Sequence, residues 1–91
     1  MYSKTTVIIN ESGLHARPAH DFVNTAKKFS SKITIKNLDD VSAEAVNAKS
    51  MVMLLAEGIA KDTHVEISAN GEDEIQAVDE LAALIQTGFG E

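Results

Sequence analysis

The chain has 91 residues, 44% of them hydrophobic and 24% charged, with a formal net charge of −6 and no cysteine. These numbers fit one globular domain over residues 1–91 and exclude a disulfide framework, a thiolate metal site and a thiol redox centre. Net acidity and an aromatic content of 4% speak against nucleic acid as a partner, and no apolar run approaches the roughly 20 residues that cross a bilayer, so a soluble, cytoplasmic monomer without membrane insertion is expected.

Residues 4–10 are rich in β-branched side chains and end at a Ser-Gly turn signal, which predicts a first strand. From Ala16 to about Phe29, apolar Ala19, Phe22, Val23, Ala26 and Phe29 recur at helical spacing, which predicts a helix buried on one side. Residues 32–38 alternate polar and apolar and read as a second strand, Asp39-Asp40 as a turn, and Ala43–Val46 as a weak third strand. Asn47 to Ser50 leads into a short apolar helix, Met51 to Glu57, stopped by Gly58. So short a helix cannot bury all of Met51, Val52, Met53, Leu54 and Leu55, and the exposed ones form a partner surface.

Residues 62–69 alternate again as a fourth strand, and the acids around Asn70–Glu74 open a last helix with Ile75, Val78, Leu81, Ala82 and Ile85 on its core face. The order β-α-β-β-α-β-α predicts an α+β fold: an open-faced sandwich of a four-stranded antiparallel sheet with three helices on one face. The sequence shows no linker, repeat or low-complexity tract.

The chemistry concentrates in Glu11-Ser-Gly-Leu-His15-Ala-Arg-Pro-Ala19, at the junction of the first strand and first helix. A helix N-terminus leaves backbone N–H groups unpaired and carries about half a positive charge, so it seats phosphate or carboxylate. Pro18, the only proline, is tolerated in a helix's first turn and sets the helix start near Ala16. His15 then stands at the helix mouth, Gly13 lets the chain turn, and Arg17 brings a charged fork suited to phosphate oxygens. Between His15 and Lys36 five cations (Arg17, Lys27, Lys28, Lys32, Lys36) face one acid, Asp21, a local balance of +4 that suits an anionic group or acidic partner.

With Gly13-Leu-His15-Ala-Arg17-Pro-Ala19 after the first strand and Asn47-Ala-Lys49-Ser50 before the second helix, the chain resembles the HPr phosphocarrier family of the bacterial sugar phosphotransferase system. The resemblance spans nearly the whole chain. It implies that His15 accepts a phosphoryl group on Nδ1 from phosphorylated enzyme I and passes it to enzyme IIA components. Arg17 and the backbone of Ala16 and Arg17 would stabilise it, as a stoichiometric carrier without independent turnover and without a cofactor or resident metal. Such transfer has a loose transition state that needs positioning and charge more than covalent machinery.

The resemblance further implies a regulatory phosphorylation of Ser50 by an ATP-dependent serine kinase (with a matching phosphorylase), read by a transcriptional regulator. It places partner docking on Met51, Val52 and Leu55, with Asn24 and Lys27 of the first helix. Three features depart from the family pattern. The segment from Arg17 to Ser50 is a few residues longer, around Asn37–Ala43; Met53 and Glu57 replace a usual glycine and apolar residue; and Asp21 stands one turn after Arg17, where it can pair with it. Ser50 also reads simply as a helix cap. Two alternatives stand beside the carrier: a regulatory module of carbon catabolite control acting mainly through Ser50, and a metal-binding domain using His15, His20 and His64.

Overall fold

Four strands form one antiparallel sheet: β1 (Tyr2–Val7), β2 (Lys32–Asn37), β3 (Val46–Asn47) and β4 (His64–Asn70), in the order β1-β4-β2-β3. The helices α1 (Ala16–Ala26), α2 (Met51–Ala56) and α3 (Glu74–Gln86) cover one face, and a 3₁₀ turn (Gly88–Gly90) follows. The structure, a computed structural model, describes residues 1–90.

Strand alternation separates the faces. Ile33 and Ile35 of β2 sit opposite Ala69 and Ile67 of β4, all buried beneath the helices, while Lys32, Thr34, Glu66 and Ser68 point to the open face. Phe22, Val23 and Ala26 of α1, Leu54 of α2 and Val78, Leu81 and Ile85 of α3 complete the core. Each large side chain buried there contributes about 1.5–3 kcal/mol.

The predicted architecture holds, with local corrections. The first strand ends at Val7 rather than Asn10: Ile8 still donates to the Thr63 carbonyl (3.0 Å), and the chain then enters a turn closed by the Gly13 N–H on the Asn10 carbonyl (3.1 Å). The first helix stops at Ala26; Phe29, in the turn beyond, stays buried. The third strand is only Val46–Asn47, and 43–45 belong to a loop whose turn is closed by Ser42, its N–H donating to Asp40 Oδ1 (3.0 Å). On α3, Ile75 is 58% exposed and Ala77 is buried instead, since Ile75 lies at the margin of the apolar stripe.

The start of α3 is tied to the rest of the fold rather than capped by itself. Asp73 stands at the N-cap, yet its carboxylate accepts from Ser30 N (2.9 Å), Ser31 N (3.0 Å) and the Ser31 hydroxyl, joining α3 to the α1–β2 turn. Asp79 accepts from Tyr2 Oη (3.0 Å) and pairs with Lys4 Nζ (2.8 Å), fastening α3 to β1. These bonds hold both carboxyls below the usual range, Asp73 chiefly through the Ser31 hydroxyl and Asp79 chiefly through Lys4, while Asp79 raises Lys4.

One crossing of the backbone positions the β1–α1 junction. Gly13 adopts φ +64°, and a Cβ placed there would lie 2.5 Å from the Ile59 carbonyl oxygen and 2.7 Å from Ala60 Cα. Both obstacles are backbone and cannot swing aside. The N–H of Leu14 donates to that same Ile59 oxygen (2.9 Å), so the junction is pinned to the α2–β4 loop.

Two predictions follow from this packing. Gly13→Ala should cost about 2 kcal/mol or more in urea unfolding, from combined steric overlap and left-handed backbone strain; an unchanged midpoint contradicts the clamp. Stability carried by the lowered carboxyls is present above the unfolded carboxyl pKa of about 4 and lost as pH falls through the folded values. That carried by Lys4 is present below its unfolded pKa and lost as pH rises through the raised one. Asp73→Asn should therefore destabilise more at neutral pH than in acid below the folded pKa, where the wild-type group has taken up its proton; an equal loss in both conditions contradicts the assignment.

Candidate functional site

His15 is the N-cap of α1, in extended conformation (φ −139°, ψ 156°), and among the described residues its ring makes no capping bond. The imidazole is exposed and stands free at the helix mouth. A helix's first amides have no carbonyl one turn earlier. Pro18 has no N–H at all, so the open donors beside His15 are those of Ala16 and Arg17. Pro18 and Ala19 are buried, and they fix the helix start from below.

Ala16 takes φ +51°, a left-handed conformation that costs an L-residue about 1–2 kcal/mol. The neighbouring anchors maintain it: Leu14 is held by Ile59, and Pro18 by the core. The chain thus turns abruptly into the helix directly after the histidine.

Arg17 projects its side chain into solvent, 88% exposed, with Nε 3.9 Å from Asp21 Oδ2. The pair expected from the spacing is present but lies beyond hydrogen-bond distance, and exposed pairs of this kind contribute less than about 1 kcal/mol. The expected basic neighbourhood of His15 is smaller than the sequence sum. Lys32 and Lys36 alternate with the buried Ile33 and Ile35 and so occupy the open face of the sheet, away from α1, with Lys36 opposite Glu66. Sequence proximity overcounted them because β2 runs on the other side of the core.

Ser50 caps α2: its Oγ accepts from Met53 N (3.3 Å), and its carbonyl accepts from Leu54 N (3.0 Å). Beside it, Lys49 Nζ donates to the Phe29 carbonyl (2.6 Å), tying this turn to the end of α1. Val52 (80% exposed), Met53 and Leu55 face solvent, Leu54 is buried and Met51 is partly buried against the core. α1 packs beside α2, with Asn24 and Lys27 on its solvent side. The expected docking residues therefore share the helical side of the molecule, apart from Met51, which is half core.

The three histidines stay on separate elements. His20 is beside Asn24 on α1, with ring nitrogens 3.2 and 3.4 Å from Asn24 Nδ2. His64, on β4, meets Asp39 (Nδ1 to Oδ1 3.1 Å), and its N–H donates to Asp39 Oδ2 (2.8 Å), anchoring the long β2–β3 loop. Among the described residues no group of three or more His, Asp or Glu side chains converges on a metal position.

The sequence reading passed over Asn10, Ile59 and Ala60. Asn10 is buried, and its Nδ2 donates to the Gly13 carbonyl (2.8 Å). An Asn directly before Ser-Gly is a local turn signal that could have drawn attention to it. The approach of Ile59–Ala60 is long-range and has no local signature.

Residues 2–87 match the family described as "PTS HPr component phosphorylation site". The chain is 47% identical over 87 residues to phosphocarrier protein HPr of Haemophilus influenzae, covering 96% of this chain and 98% of that one. It is 36% identical to phosphocarrier protein NPr of Proteus mirabilis, covering 97% and 94%. It is also 42% identical to the multiphosphoryl transfer protein of Haemophilus influenzae, but spans only 17% of that protein's length. Among solved structures, HPr-C-His from Thermoanaerobacter tengcongensis superimposes with a TM-score of 0.91 at 43% identity, covering 100% of this chain and 98% of that one. Matching the family model over residues 2–87 and a full-length phosphocarrier at 47% identity, the chain belongs to the HPr family of phosphotransferase-system phosphocarriers.

Proposed function

We propose that this protein accepts a phosphoryl group on Nδ1 of His15 from phosphorylated enzyme I and delivers it to enzyme IIA components, as a cytoplasmic, monomeric, stoichiometric carrier. One observation carries this reading: an exposed imidazole at the mouth of α1, beside the two amides that the helix leaves open. The ring nitrogen's lone pair forms the N–P bond as the bond from phosphorus to the donor breaks with its electron pair. The amides of Ala16 and Arg17 meet the phosphoryl oxygens, and the Arg17 guanidinium, only loosely engaged with Asp21, adds charge.

Docking is assigned to Val52 and Leu55 of α2, with Met51 at its inner edge and Asn24 and Lys27 of α1 beside them. Among the described residues no helix is long and apolar enough to cross a membrane.

Ser50 is proposed as a second, regulatory phosphorylation site for a serine kinase, with a transcriptional regulator as reader. A phosphate there joins the positive end of α2 beside the apolar patch, changing the charge of the docking surface without unfolding it. The alternative role, a regulatory module working mainly through Ser50, is favoured by the same cap geometry but gives the exposed His15 no task.

Incubation with phosphoenolpyruvate and enzyme I should place acid-labile phosphate on the wild type and none on His15→Ala; label on the variant contradicts the assignment. Arg17→Ala should keep the fold and slow acceptance by about 10- to 100-fold, for loss of one charge-assisted contact; an unchanged rate removes Arg17 from the site. Ser50→Ala should lose about 1 kcal/mol in urea unfolding and Ser50→Asp much less, because Asp also caps; equal losses contradict the capping role.

A further inference from the structure

We propose that Asn10 is a positioning residue for phosphoryl transfer, acting on His15 through the Gly13–Leu14 peptide; the proposal rests on the phosphocarrier reading of His15. Asn10 and Gly13 are joined twice. The Gly13 N–H donates to the Asn10 carbonyl (3.1 Å), and Asn10 Nδ2 donates back to the Gly13 carbonyl (2.8 Å), with a second contact to Ser12 Oγ at 3.3 Å. The peptide that leads into Leu14 is therefore gripped on both sides, its C=O by Asn10 and its N–H by the Ile59 carbonyl (2.9 Å). That peptide sets the direction in which the chain enters His15, so the carboxamide aims the imidazole at the open amides of the helix.

A purely stabilising residue would be an odd choice here. Asn10 is only 4% exposed, and its Oδ1 is buried with no hydrogen-bond partner among the described residues. An unpaired buried acceptor opposes folding. The carboxamide is thus a costly way to close a turn that other residues close more cheaply. Its distinguishing property is the N–H donor reaching the Gly13 carbonyl, and its value lies in orientation, to which transfer rates are sensitive.

The test uses the full chain with Asn10→Ala and Asn10→Ser, the latter keeping a hydroxyl donor. Two phosphoryl donors are compared: phosphorylated enzyme I, and phosphoramidate, which needs no docking surface because its P–N bond breaks to release ammonia as the imidazole N–P bond forms. Asn10→Ala exchanges one unpaired acceptor for another at Gly13, so only a small drop in melting midpoint is expected. Its rate at saturating enzyme I should fall by about 10- to 100-fold with KM unchanged, with a parallel fall toward phosphoramidate; Asn10→Ser should recover part of it. Exchange of the Leu14 amide with solvent should quicken and the His15 ring resonances should shift. A rate within twofold of wild type, a change confined to KM, or unaltered Leu14 exchange overturns the proposal. If the wild type accepts phosphate from neither donor, the phosphocarrier reading has failed, and Leu14 exchange with the His15 ring shifts still decides whether Asn10 aims the histidine.

Discussion

The structure depends on one close approach: the Gly13 backbone lies against Ile59 and Ala60 with no room for a side chain. That contact brings the loop after β1 and the loop after α2 together, beside the bonds that Ile8 makes to Asp62 and Thr63. The Leu14–Ile59 hydrogen bond and the buried Leu14 side chain complete the join. Everything at the His15 end of α1 is positioned from it.

Held in this way, the junction can keep a conformation that the chain alone would not choose. Ala16 is left-handed, the histidine preceding it is extended, and the helix then begins at once with Pro18 packed into the core. The first turn of a helix has no internal partners for its amides, so those of Ala16 and Arg17 stay open directly after the histidine. Phosphoryl transfer needs fixed dipoles and geometry in preference to reactive side chains, which is why the proposed role falls on this junction. The loose contact between Arg17 and Asp21 fits a charge that can be recruited when an anion arrives and released when it leaves.

Much of this was legible in the sequence. The period-2 runs of β2 and β4 and the apolar stripe of α1 gave the elements, and Pro18 fixed the start of α1, because each signal is local. The Ser50 cap and the exposure of Val52 and Leu55 were also local consequences of a short helix. What was not legible came from distance. Ala43–Ala45 read as strand, yet the loop is governed by the local Asp40–Ser42 turn and by Asp39 reaching His64 on β4, the second a contact no local signal announces. Lys32 and Lys36 counted toward His15 along the chain but face the other side of the molecule. Asp73 read as one of the acids that open the last helix, and its carboxylate in addition anchors Ser30 and Ser31. At the site itself the histidine, arginine and proline announced themselves, whereas Asn10 and Ile59 did not, since their roles exist only once the two loops meet.

The central claim is that the helix mouth, held by that meeting, receives the phosphoryl group carried on His15. The most direct measurement is the amide proton and nitrogen shifts of Ala16 and Arg17 by NMR, before and after phosphorylation of the chain. New hydrogen bonds to phosphoryl oxygens should move both amide protons strongly downfield, while the amides of β2 and α3 stay in place. If phosphate is incorporated and the amides of Ala16 and Arg17 do not move, the phosphoryl group is held elsewhere and the account is wrong.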